Sequence, residues 1–233
     1  MIGRKKEIQI LEQAFISKKP ELVAILGRRR VGKTFLVRSF FEGKMDFELV
    51  GLKDGTREQQ IRNFSYSLKD RQAERTKKEL PIDWLAAFRQ LSEYLESLGD
   101  LGRKKVVFID EVPWIATRRS DFLTGFSYFW NSYASKNQIV VIICGSATAW
   151  MINKIMNDKG GLHNRVPIVF IFNLLHSPKQ RPILKKGRFF LTVTKSFNFT
   201  WLWEEYRIIL TKLRAEKVPF KTLMTFVLVS KVF

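Results

Sequence analysis

A chain of 233 residues, 45% hydrophobic and 27% charged, is long enough for one good core or one domain with a small appendage, and too apolar for a disordered segment. A lone Cys144 excludes an internal disulfide framework and fits a reducing compartment; no apolar run approaches the roughly 18 residues of a membrane span, so the chain reads as cytoplasmic. The formal net charge of +19 is the unusual quantity, and residues 167–233 supply nearly half of it, with twelve basic residues against three acidic ones. Excess of this kind is met in chains that bind nucleic acid or membrane surfaces, the plainer reading being a solvated surface.

In chain order, the amino terminus is charged and helix-like rather than a signal peptide. Glu7–Ile16 places Ile8, Leu11, Ala14 and Phe15 at helical spacing, and Pro20 ends that helix. Leu22–Leu26 is an apolar run too short for a helix. A glycine and three arginines follow, and from Gly32 onward Phe35, Leu36, Phe40 and Phe41 recur at helical spacing, which gives strand, loop, helix. Phe47–Leu52 reads as a second strand, and Arg57–Ala73 and Ile82–Leu98 as helices. Val106–Ile109 and Ile139–Cys144 are continuous apolar runs of the type buried on both faces of a sheet. Between them, Asp121–Ala134 carries Phe122, Phe126, Phe129, Trp130 and Tyr133 on one broad helical face, and Ala147–Met156 is a further helix. Strands alternating with helices predict an α/β fold with a mostly parallel sheet between two helical layers.

Gly27-Arg28-Arg29-Arg30-Val31-Gly32-Lys33-Thr34 matches the spacing G-x-x-x-x-G-K-[ST] between a predicted strand and a predicted helix. The glycines let the backbone wrap an anion with its N–H groups turned inward, and the start of the helix adds a positive dipole end. Lys33 would reach the β- and γ-phosphates of a nucleotide, and the Thr34 hydroxyl would ligate Mg²⁺. Phe35 continues the same segment. Arg28, Arg29 and Arg30 could hold phosphate or face a neighbouring subunit, with solvation the default.

Val106–Ile109 ends in Asp110 and Glu111, at the strand end where open α/β sheets bind ligands. Asp110 is placed to hold Mg²⁺ through water, and Glu111 to act as general base on a water molecule. Ser146, after the next strand, would sense the γ-phosphate or orient water; the alternative is a helix cap. Arg165 is a candidate charge-stabilising arginine, within the chain or across a subunit interface of a homo-oligomer, the alternative being a surface arginine. His163 has no partner at metal-ligand spacing.

With these residues the chain resembles the AAA+/STAND-type P-loop ATPases often called archaeal-type ATPases. The resemblance covers residues 1–166 and rests on Ile2–Glu7, Gly27–Thr34, Val106–Glu111, Ile143–Thr148 and Gly160–Val166. It implies ATP and Mg²⁺ as ligands and a three-layer P-loop core with the loop-bearing strand central. It also implies Glu111 as catalytic base, Ser146 as first sensor and adenine held near Gly3 and Arg4. A small helical lid is implied after Arg165, and commonly a further winged-helix or nuclease-like domain.

After Val166 the character changes. Pro167–Leu175 is hydrophobic without a helical stripe, Lys179–Phe190 is basic and aromatic, and no lid is legible. Reading the codons compatible with Leu202–Leu210 from each third base produces Gly-Gly-Ile-Pro followed closely by Tyr-Leu, which resembles a motif of the family's lid. Residues 167–233 are therefore read as a frameshifted tail that replaces the lid, with the break near codon 167. The rival is a divergent basic tail. An out-of-frame tail makes hydrolysis by this form doubtful and makes its charge no guide to partners.

The functional expectation is ATP binding and Mg²⁺-dependent hydrolysis driving a conformational switch. The alternatives are a nucleotide-dependent switch or assembly module with negligible turnover, or a DNA-associated ATP-binding protein. A small-molecule kinase is disfavoured by the Asp110-Glu111 pair, and a GTPase by the lack of an N-K-x-D motif.

Overall fold

The computed structural model describes residues 4–72, 79–151, 168–171, 180–185 and 189–194. The chain divides into two compact units, Met1–Thr194 and Lys195–Phe233, and every described residue belongs to the first. In order the elements are α1 (Lys5–Ile16), β1 (Glu21–Leu26), α2 (Lys33–Phe40), β2 (Phe47–Val50), α3 (Arg57–Lys69), α4 (Trp84–Ser97), β3 (Lys105–Asp110), α5 (Val112–Ile115) and α6 (Phe122–Ser132). A 3₁₀ turn at Ala134–Lys136 leads into β4 (Ile139–Gly145), followed by α7 (Thr148–Met151), β5 (Ile168–Ile171), β6 (Gln180–Lys185) and β7 (Phe189–Thr194).

β1 to β5 form one sheet in the order β2-β3-β4-β1-β5, parallel throughout. Alternation along the strands divides the core in two, because successive side chains leave opposite faces of a sheet. Leu22, Ala24, Leu26, Val107, Ile109, Val141 and Ile143 face a cluster built with α3, α4 and α6. Val23, Ile25, Val106, Phe108, Val140 and Ile142 face a second cluster with α1 and α2. Both faces are thus covered, which is why β1 and β4 are apolar without a polar alternation. This is the expected three-layer α/β/α core, with β1 interior in the sheet.

Local chemistry sets the helix starts. Thr56 accepts from the Gln59 N–H at 3.3 Å while Gln59 Oε1 accepts from the Thr56 N–H at 2.8 Å, a capping box that starts α3. Asp83 Oδ1 caps α4 through the Ala86 N–H at 2.7 Å. The aromatic face foreseen on α6 packs against α4, with Trp84 and Phe122 edge to face at 4.9 Å.

The sheet continues past Val166, where the sequence reading ended the domain. Ile168–Ile171 pairs in parallel with Val23–Leu26, and the Ile168 side chain joins the α1/α2 cluster. β6 and β7 form a separate antiparallel pair within the stretch read as tail. No helix among the described residues is long and apolar enough to cross a membrane.

Candidate functional site

β3, β4 and β1 are adjacent, so their carboxyl ends bring Asp110 and Glu111, Ser146, and the Gly27–Thr34 loop to one edge. The chain leaving β1 turns toward the α1/α2 face, while that leaving β3 turns toward the opposite face through α5. Strand connections that part in this way open the crevice in which such sheets bind ligands.

In the loop, Gly27 and Gly32 take φ of 145° and 92°, and Arg30 takes 63°. The glycine at 32 lets the chain turn directly into α2, where a side chain would be strained by roughly 1 kcal/mol or more. Lys33, 5% exposed, donates to the Gly27 carbonyl at 2.8 Å and to the Arg28 carbonyl at 2.9 Å. Its ammonium is therefore held by the loop itself.

Thr34 Oγ1 donates to Asp110 Oδ2 at 2.5 Å, and Asp110 Oδ1 accepts from the Glu111 N–H at 2.8 Å. Glu111 has φ 49°, a left-handed conformation that costs a non-glycine residue energy. Ser146 Oγ donates to Glu111 Oε2 at 3.0 Å. Thr34 and Asp110 are a hard-oxygen pair of the kind Mg²⁺ accepts, with its other positions left to water and phosphate, and they fit that ion. Among the described residues no group of three or more His, Cys, Asp or Glu converges as a metal cage, which leaves Thr34 and Asp110 as the donors to test. Cys144 is fully buried, its thiol pushed up first by burial and then by the neighbouring Asp110 charge, so it packs as the small hydrophobe its apolar run suggested.

Arg4 is 5% exposed and reaches the loop, donating to the Val31 carbonyl at 3.3 Å and to Glu7 Oε1 at 3.1 Å. Phe35 is 66% exposed on the first turn of α2. Gly3 and Arg165 lie outside the described residues, as does His163. Arg28 and Arg30 are exposed. Arg29 is engaged: its Nε donates to Ser146 Oγ at 3.4 Å, and its guanidinium lies 5.1 Å from the centre of the Trp114 ring.

Sequence reasoning missed Trp114, Gln60 and Gly51. Gln60 is buried in α3, exchanges hydrogen bonds with both backbone groups of Leu52 and donates to the Trp114 carbonyl, so it straps α5 in place. A Cβ on Gly51 would lie 2.7 Å from the Glu111 carbonyl oxygen and 2.8 Å from Ile115 Cγ1. The glycine therefore lets β2 end directly against the backbone of Glu111. Only the glycine after a strand hinted at this; nothing in the sequence near Gln60 or Trp114 signals their partners.

The chain is similar to an uncharacterized protein of Methanocaldococcus jannaschii, 25% identical over 165 residues that make up 70% of this chain and 34% of that protein. It is also similar to an uncharacterized ATP-binding protein of the same organism, 44% identical over 43 residues, 18% of this chain and 73% of the relative. Among solved structures it resembles a signal transduction ATPase with numerous domains from Pyrococcus horikoshii that carries a tetratricopeptide repeat sensor. That likeness has 21% identity and a TM-score of 0.38, over 75% of this chain and 23% of the other. The chain thus spans about a third of the first relative and less than a quarter of the solved structure. A family model for an ATPase domain predominantly from Archaea matches residues 1–188, and the chain belongs to that family.

Proposed function

We propose that this domain binds Mg·ATP in the Gly27–Thr34 loop and hydrolyses it, using the step to switch conformation. The observation that carries the proposal is the pairing of loop and strand ends, Thr34 to Asp110 and Ser146 to Glu111, on one edge of the sheet. The loop amides take the phosphates, and Lys33 exchanges the Gly27 and Arg28 carbonyls for phosphate oxygens. Thr34 and Asp110 would hold Mg²⁺, which would supply neutralising charge to the phosphates. Glu111 accepts a proton from water as the water oxygen bonds to the γ-phosphorus. The bond from that phosphorus to the bridging oxygen breaks, and the oxygen leaves on ADP. Ser146 orients Glu111. The contact of Arg4 with the Val31 carbonyl of the loop supports adenine lying near Arg4.

Glu111→Gln is expected to lower turnover by about 10²–10⁴-fold while Mg·ATP affinity is retained, measured as steady-state phosphate release beside calorimetric binding. Turnover that survived the substitution would remove Glu111 from the role of base. Unchanged, negligible turnover in both proteins would favour the second reading, a nucleotide-dependent switch or assembly module. That reading has its own support, since the groups of the site are bonded to one another rather than held open. DNA contact by the basic surface predicts affinity falling steeply with salt.

The carboxyl-terminal stretch is proposed to be out of frame in place of a lid. The pairing of Ile168–Ile171 with β1 and the family match to residue 188 support a break later than codon 167. Resequencing from codon 155 to the end of the gene tests it, and an unbroken printed frame shared by relatives would end it.

A further inference from the structure

Arg29 has no part in the scheme above, yet it touches two of the site's segments. It is an exposed residue of the phosphate-binding loop, but its Nε is on Ser146 Oγ at 3.4 Å and its guanidinium is over Trp114 at 5.1 Å. Ser146 Oγ in turn donates to Glu111 Oε2 at 3.0 Å. A continuous line of hydrogen bonds therefore runs from the phosphate loop, through the end of β4, to the carboxylate after β3.

Both of its contacts are weak ones. A neutral hydroxyl at 3.4 Å is at the outer limit of a hydrogen bond, and the ring is a soft partner for a cation near solvent. A phosphoryl group offers the same guanidinium two charge-assisted bonds in a matching plane, each roughly twice as strong as a neutral one. The consequence for Glu111 follows from cooperativity. While Arg29 donates to Ser146, the polarised hydroxyl is a stronger donor to Glu111 and fixes how that carboxylate is held.

Resting on the nucleotide-hydrolysis reading, we propose that Arg29 is the residue by which this chain distinguishes a nucleoside triphosphate from a diphosphate. A terminal phosphoryl group draws Arg29 off Ser146 and Trp114, and the loss of that contact loosens Ser146 from Glu111. A diphosphate leaves the rest arrangement in place. Arg29 is thus a phosphate ligand and, through Ser146, a positioning residue for Glu111.

Trp114 makes the movement visible. The chain has 6 tryptophans, so the Trp114 signal is taken as the fluorescence of the wild type minus that of Trp114→Phe. Binding of Mg·ADP and of Mg with a non-hydrolysable ATP analogue is measured separately by calorimetry on the same proteins. The expected result is a Trp114 change with the analogue and none with ADP. Arg29→Gln should lose about tenfold or more in analogue affinity, hold its ADP affinity within about twofold, and abolish the Trp114 response. Arg29→Lys should recover part of the affinity as a point charge. The same Trp114 signal with both nucleotides, no signal with either while both bind, or equal losses for both in Arg29→Gln would each overturn the assignment and leave the nucleotide site standing. Absence of calorimetric binding by the wild type to either nucleotide would overturn the nucleotide reading, and this inference with it.

Discussion

At the amino ends of β1, β2 and β3 the buried charges are bonded to backbone or to a fixed partner. Lys104 donates to the Ala14 carbonyl at 2.7 Å, to Ser17 Oγ at 2.8 Å and to the Lys19 carbonyl, closing the end of α1 onto the sheet. Asp46 takes a two-pronged contact from Arg103 at 2.8 and 2.9 Å and the Val106 N–H at 2.7 Å. At the carboxyl ends, Lys33, Thr34, Asp110, Glu111 and Ser146 are bonded mostly to loop carbonyls and to one another. The contrast lies in what can compete. On the proposed reading a phosphate chain would replace the loop carbonyls at Lys33, whereas Lys104 and Asp46 hold α1, β2 and β3 together.

The contrast breaks most sharply at Lys33. Lys33→Ala is expected to weaken ATP binding by about a hundredfold or more, read by calorimetry, with the circular dichroism and unfolding midpoint little changed. Asp46→Ala should do the reverse. It leaves the buried Val106 N–H without its acceptor and Arg103 with only the Lys104 carbonyl, lowering unfolding stability by about 2–3 kcal/mol in urea titrations with nucleotide affinity intact. Equal effects of the two variants on binding and stability would erase the distinction.

Gly51→Ala sharpens the comparison, because it touches the carboxyl edge through packing alone. Crowding the Glu111 carbonyl is expected to cost about 1–2 kcal/mol of stability and to lower turnover by roughly tenfold through a misplaced carboxylate. The smallest effect belongs to Lys104. Burial lowers its pKa from 10.5 to about 8 in the folded chain. Between those values the unfolded chain holds the proton and the folded one does not, so this group makes stability rise with pH, by about 1.4 kcal/mol per unit at most. Stability curves from pH 7 to 10 for the wild type and Lys104→Met should differ by that slope.

Much of the architecture was legible because it is written in local patterns. The apolar runs of β1, β3 and β4, the helical stripes of α1 and α6, and the loop between β1 and α2 stand within a few residues of their expected places. Where boundaries moved, a long-range partner moved them. β2 was expected to reach Leu52 but ends at Val50, since Gln60 takes both backbone groups of Leu52 away from the ladder. α3 was expected to reach Ala73 and ends at Lys69, where Arg71 bonds instead to the Met45 carbonyl at 2.8 Å and accepts from Tyr94. β5 went unread because four apolar residues after Pro167 carry no period of their own; the open edge of β1 gives them their partner.

By itself the sequence determined the fold class, the phosphate loop, the acidic pair and the order in which they arrive, because spacing and period are local properties of the chain. It could not rank buried lysines. Lys33 and Lys104 are both nearly inaccessible, and only the tertiary structure set the first among the carbonyls of its own loop and the second at the end of α1. Nor could it single out Arg29 from its two neighbours, whose partner Ser146 lies 117 residues away. Long-range pairing is decided by which strands become adjacent, and that adjacency follows from burying two apolar faces of a five-stranded sheet at once.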